Sequence, residues 1–201
     1  MMEQRYWARL DGDSKTTWAD ARLTPLGKQQ AHDMNLFWET SAAATKLPLP
    51  RRHFVSPLTR CLQTCQTAFT DIHLPEGENP PPQFSPLIVE LVRERLGIHT
   101  CDRRHPKSWI QENFPTFHIE EGFSEQDILW NPDVRETLGE HAMRVERFLE
   151  GLFTEEEKED VVSLTVHSGT ILAMYEVLGH PAVRSAPGAI VPVLIRGERT
   201  S

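Results

Sequence analysis

Three side chains in this sequence stand where chemistry on an anion is easiest to build. His167 falls in "VVSLTVHSGTILAMYEVLG", where an apolar run rich in valine meets Ser-Gly and then a helical pattern. That junction reads as a buried strand ending and a helix beginning. In open α/β sheets ligands gather at the carboxyl ends of strands, and the free N–H groups at a helix start favour anions. The same theme recurs in "RRHFVSPLTRCLQTCQTAF". There His53 to Val55 form a short strand, Ser56 caps the following helix and Pro57 takes its first position. Arg60 lies in the first turn, off the apolar face made by Leu58, Cys61, Leu62, Cys65, Ala68 and Phe69. Between these two corners, the strand-like Leu87 to Val89 runs into Glu90, Arg93, Glu94 and Arg95. Together they would make a pocket for a phosphate, in which Arg60 clamps oxygens and Glu94 donates a proton.

The elements that position these residues can be read from pattern. Thr24 is an N-cap and Pro25 the first residue of a helix running to about Thr40. "LPEGENPPPQFSP" is a turn-rich loop. From Thr100 to Pro132 the chain is irregular, with Trp109, Phe114, Phe117, Phe123 and Trp130 at no single period, which suggests an excursion or lid over the site. Leu138, Ala142, Val145, Phe148, Leu149 and Leu152 mark an amphipathic helix that ends near the acidic turn "EEEKED". "AIVPVLI" reads as a last strand, with Pro192 placing it at an edge or bulge. No internal repeat interrupts this order, so residues 1–201 are expected to form one domain, with 100–132 as the excursion within it.

Composition limits the partners. The chain has 201 residues, 39% of them hydrophobic and 25% charged, as in an ordinary globular protein, and a formal charge of -8. That charge argues against nucleic acid or an anionic membrane, each of which favours a basic face, and leaves a small anionic molecule held by a few local arginines. No apolar run is long enough to span a bilayer, and "MMEQRYWARLDGD" has no signal-peptide core, so a cytoplasmic location is the expectation. Cys61, Cys65 and Cys101 are an odd number with no disulfide spacing, as in a reducing compartment, and the first two lie one helical turn apart on the apolar face. His99, Cys101, Asp102 and His105 in "HTCDRRH" invite a metal reading, but no second ligand cluster accompanies them, so neither metal nor cofactor is expected.

The segments "LTPLGKQQA", "SPLTRCLQT", "RERLGIHTCDRR" and "VHSGT", in this order and at these intervals, resemble the histidine phosphatase superfamily, also called phosphoglycerate mutase-like, and most closely its fungal phosphomutase-like branch. The likeness runs from about Tyr6 to Ile195. It implies a three-layer α/β/α fold with a mainly parallel sheet, and phosphomonoester hydrolysis through a phosphohistidine. By position His167 resembles the second histidine of the family, Arg60 its second arginine and Glu94 its proton donor, with Glu90 as the alternative. Ser168, Arg103, His99 and His105 are further candidates for contact with the substrate. The family's Arg-His-Gly, at the end of the first strand, has no counterpart here: Arg52-His53 and Arg104-His105 are the Arg-His pairs, and neither precedes glycine.

Several functions stay open on these grounds. One is an enzyme of this ancestry: a truncated form of an active phosphatase, a short form repurposed for acid/base dehydration, isomerisation or cyclisation, or an inactive one. The other is a noncatalytic binding or assembly partner that uses the sheet left exposed by the absent strand. The expected ligand is a small, phosphorylated anion. Self-association or marginal stability is expected of the chain, because "MMEQRYWARL" alternates badly as a substitute for a central strand.

Overall fold

The computed structural model of the chain describes residues 7–40, 46–73, 83–153 and 160–197. Most of the turn-rich loop and of the acidic turn lie outside these residues. Four strands, β1 (Arg52–Val55), β2 (Leu87–Ile88), β3 (His118–Ile119) and β4 (Val162–Thr165), form one parallel sheet in the order β3-β2-β1-β4. Among the described residues five α-helices are laid against it: α1 (Pro25–Thr40), α2 (Thr59–Phe69), α3 (Lys107–Asn113), α4 (Leu138–Gly151) and α5 (Ser168–Val177). Successive residues of a strand point to opposite faces, and in β1 they enter two separate cores. Val55 packs with Leu62, Cys65 and Phe69 of α2 and Ile110 of α3, whereas Phe54 packs with Val145, Phe148 and Leu149 of α4 and Ala173 of α5. Helices therefore cover both faces, and the architecture is the expected α/β/α.

Local chemistry explains where two of the helices begin. Thr24 caps α1, its Oγ1 accepting from Gly27 N at 3.1 Å. Thr137 caps α4 in a reciprocal box with Glu140, each residue's backbone N–H bonded to the other's side chain. The start of α2 differs from the sequence expectation. The helix begins at Thr59, with Leu58 at the cap position and Ser56 still part of the sheet edge, its N–H bonded to Thr165 O at 3.1 Å. The capping carboxylate comes instead from Asp20, which takes Thr59 N at 2.7 Å and Thr59 Oγ1 at 2.8 Å.

Two further expectations change. The 100–132 region carries α3 and a strand of the main sheet, and it buries Ile110, Phe114, Phe117 and Phe123 in the core. Its aromatics show no single period because only Trp109 lies within a helix, while Phe114, Phe117, Phe123 and Trp130 fall in the irregular segments around α3 and β3. "AIVPVLI" forms no strand. It has the composition of one, but a strand exists only where a neighbour completes its ladder. Among the described residues none does: β4 is paired on the β1 side alone, and a cavity of about 1300 Å³ lies between β4 and residues 186–195. No helix of the described residues is long and apolar enough to cross a membrane.

Candidate functional site

One end of that cavity is lined by Arg60, Cys61, Glu94, His167 and Ser168. Each reaches it from a different element by a short-range rule. His167 is the N-cap residue of α5, with extended φ/ψ (−108°, 162°), two residues beyond the end of β4. Its buried ring places Nε2 2.8 Å from Ser56 Oγ and 3.4 Å from Cys61 Sγ. Burial, reinforced by the positive charge of Arg60 and Arg93, pushes the imidazole pKa well below its usual value, so the ring is neutral at pH 7. The neighbouring thiol is no nucleophile at that pH: burial raises Cys61 to about 12.

Arg60, in the first turn of α2, is tethered at both ends of its guanidinium. Nη1 donates to Cys101 O at 2.7 Å and Nη2 to Asp102 Oδ1 at 3.0 Å. The side chain remains one-quarter exposed toward the cavity. Glu94 follows the short 3-10 turn Glu90–Val92 and reaches across to α5, where its Oε2 accepts from Gly169 N at 3.2 Å and its Oε1 from Arg95 N at 2.8 Å. Glycine at 169 is what allows this, since a Cβ there would overlap Glu94 Oε1 and stand 2.8 Å from Cδ. Glu90, the alternative acid, is engaged elsewhere: it pairs with Arg93 at 2.9 Å and with Arg104 at 2.6 Å, and Arg93 in turn holds Asp127 at 2.6 Å. This buried ionic knot, with Arg104 also bonded to the carbonyls of Ser124 and Gln126, fixes the loop that carries Glu94.

The other candidates sit beyond the cavity wall. His105 is anchored by Asp20, Nδ1 to Oδ2 at 2.6 Å, and stacks on Trp109 with ring centroids 3.7 Å apart. Arg103 pairs with Asp11 at 2.8 Å and lies over Trp130. His99 stands 3.9 Å from Asp102. Among the described residues no three His, Cys, Asp or Glu side chains are grouped to hold a metal ion. Of the Arg-His pairs, His53 is a buried residue of β1 whose Nδ1 lies 2.7 Å from Ser163 Oγ on the neighbouring β4. Asp20 is a site-supporting residue that sequence reasoning passed over, and Ser56 and Asp102, read from the sequence as a helix cap and a metal-ligand candidate, instead hold His167 and Arg60. Each acts on a partner 39 or more residues away, so no local spacing signals them.

A parallel sheet with helices on both faces, and an arginine, a histidine and a carboxylate gathered at two strand-to-helix corners, defines the class as a parallel α/β protein. Relatives make the class specific. The chain is 40% identical over 196 residues to "Probable phosphoglycerate mutase" of Arthroderma benhamiae, covering 98% of this chain and 57% of that protein. It is 35% identical over 203 residues to "Probable phosphoglycerate mutase PMU1" of Saccharomyces cerevisiae, covering 94% of this chain and 69% of that one. It thus belongs to the phosphoglycerate mutase-like family of the histidine phosphatase superfamily, and it spans little more than half the length of the first of these relatives. The alpha-ribazole phosphatase of Shigella flexneri aligns over 85% of this chain and 77% of its own, at 18% identity and a TM-score of 0.49. No family model matches the chain.

Proposed function

We propose that the cavity end formed by Arg60, Glu94 and His167 binds the phosphate of a small phosphomonoester, and that the inherited reaction of this site is hydrolysis of that ester. The observation that carries this reading is the meeting of the three side chains, from α2, the loop after β2 and the start of α5, on one cavity wall. Arg60 supplies charge-assisted donors to phosphate oxygens, and the amino terminus of α5 adds backbone N–H groups and a favourable dipole. The neutral ring of His167 offers one further donor or acceptor. Glu94, beside them, serves as proton donor to the leaving oxygen.

The phosphoryl acceptor is a separate matter. No Arg-His-Gly occurs in these 201 residues, and none of the described side chains at the cavity takes its place: His167 is committed to Ser56 and Cys61 is a thiol. A strand lying parallel to β4 along its free side would end beside His167, where the family resemblance puts the phosphorylated histidine. Without a covalent nucleophile the two-step displacement is lost, and by comparison with other nucleophile deletions the rate falls by about a million-fold. Binding survives hydrolysis on this reading. Titration of the chain with phosphate and vanadate is expected to show saturable binding that Arg60→Ala weakens at least tenfold, with no labelled phosphohistidine after incubation with a phosphoryl donor. Arg60-independent binding would remove the assignment of the site, and a phosphohistidine on this chain would remove the assignment of missing transfer.

A further inference from the structure

A second concavity shares one residue with the anchorage of Arg60. Cys101 accepts Arg60 Nη1 on its carbonyl at 2.7 Å, and the same residue lines a notch of about 510 Å³ together with Trp7, Ala8, Asp13, Trp18 and Thr100. The walls of this notch are fixed by the chain itself. Thr100 donates its N–H to Ala8 O at 3.0 Å and its hydroxyl to Leu10 O at 2.6 Å, which ties the segment carrying Trp7 to the one carrying Cys101. Asp13 N donates to Thr16 O at 2.9 Å and Trp18 N to Asp11 O at 2.7 Å, closing a turn that returns Trp18 beside Trp7. That turn needs Gly12, where φ is +153° and a Cβ would overlap Thr16 O. The two indoles meet edge to face, with ring centroids 5.6 Å apart and planes at 78°. Trp7 is nonetheless 50% exposed. A large ring left half open on a prearranged wall has little freedom to lose when another group settles against it.

The chemistry of the wall selects its occupant. Trp18 Nε1 already donates to Thr16 Oγ1 at 2.9 Å and Thr100 Oγ1 to Leu10 O, while Asp13 Oδ1 accepts from the N–H groups of Lys15 and Thr16, each at 2.8 Å. Hydroxyls of a sugar or a glycerol would find these donors and acceptors taken. A carboxylate or a second phosphate would face Asp13, whose carboxyl the backbone bonds from Lys15 and Thr16 hold below the usual range and therefore charged. What suits the wall is an uncharged aromatic ring, to which indoles offer both offset-stacked and edge-to-face contact.

We propose that the notch between Trp7 and Trp18 seats the organic group of the phosphomonoester, and that this group is an uncharged aromatic ring. The proposal rests on the reading of Arg60 as a phosphate ligand. Benzylphosphonate and methylphosphonate test it, because they share one head group, with carbon in place of the ester oxygen so that neither is hydrolysed, and differ only in the ring. In calorimetric titration of the whole chain, benzylphosphonate is expected to bind about tenfold more tightly. Trp7→Ala is expected to bring it down to the methylphosphonate level while leaving methylphosphonate within about twofold. Leu26→Ala, at an exposed apolar residue of α1, is the control and should change neither. Where Trp7→Ala perturbs folding, the unaltered chain decides: the indole N–H resonance of Trp7, assigned with Trp7→Phe, is expected to shift with benzylphosphonate and to stay in place with methylphosphonate. Equal affinities for the two phosphonates, a ring preference indifferent to Trp7→Ala, or an unmoved indole resonance overturns the subsite. Arg60→Ala tells the two readings apart. Unchanged methylphosphonate binding in that variant removes the phosphate assignment, whereas the ring preference and its dependence on Trp7 decide the notch.

Discussion

Replacing Gly169 by alanine probes the convergence of Glu94 and His167 most directly. In an ordinary helix the change stabilises by about 0.5–1 kcal/mol, because alanine loses less backbone freedom on folding. Here the new Cβ would overlap Glu94 Oε1 and stand 2.8 Å from its Cδ, so the carboxylate must swing away and give up its 3.2 Å bond from Gly169 N. A hydrogen bond to a charged group is worth about 1.5–3 kcal/mol, and the lower end applies to this part-buried pair. The net effect is a destabilisation of about 0.5–2 kcal/mol, opposite in sign to the propensity change. In a Glu94→Ala background the obstruction is gone, and Gly169→Ala is expected to stabilise by up to about 1 kcal/mol. Urea unfolding of the four members of this cycle measures the coupling. Stabilisation of equal size in both backgrounds would refute the placement of Glu94 at the amino terminus of α5.

The remaining predictions concern the frame around the site. Asp20→Ala removes a buried carboxylate that caps α2 and holds His105, leaving four donors short of their acceptor. It is expected to cost at least about 3 kcal/mol, against about 1 for Thr24→Ala at the exposed cap of α1, and equal losses in denaturant unfolding would sink the argument. His53, lowered to about 4 chiefly by burial, and His141 and His167, also lowered chiefly by burial, are neutral in the native state, whereas the unfolded chain takes up protons near pH 6.5. Unfolded binding more protons means that stability falls as pH drops from about 6.5 toward 4, by up to about 3 kcal/mol for His53 alone. Melting temperatures independent of pH across that window would show these rings charged in the fold. Finally, β4 meets a cavity on its free side. Unsatisfied buried groups cost about 1–3 kcal/mol each against a total of roughly 5–15, so self-association or marginal stability is expected of the 201-residue chain, with recovery when an apolar strand is added upstream. Sedimentation showing a monodisperse monomer with cooperative unfolding, unchanged by that extension, would contradict this.

Much of the candidate site's local geometry was legible because its two corners are local events. A valine-rich run, Ser-Gly and a helical period within nineteen residues suffice to place His167 at a strand end and a helix start, and the period of Leu58, Cys61, Leu62, Cys65, Ala68 and Phe69 suffices to keep Arg60 off the core face. Backbone geometry and side-chain periodicity act over a few residues, so sequence alone determines them. The choice between Glu90 and Glu94 was not of this kind. Four residues apart and alike in type, they part company only because Arg93 and Arg104 capture the first, while a glycine 75 positions downstream makes room for the second. The cap of α2 went to Asp20 rather than Ser56 for the same reason: the serine was needed by the sheet edge and by His167, and the carboxylate arrived from 39 residues away. "AIVPVLI" has every strand-forming residue it needs, yet it is no strand, because hydrogen-bond ladders are made with a neighbour and only tertiary structure decides whether the neighbour is there.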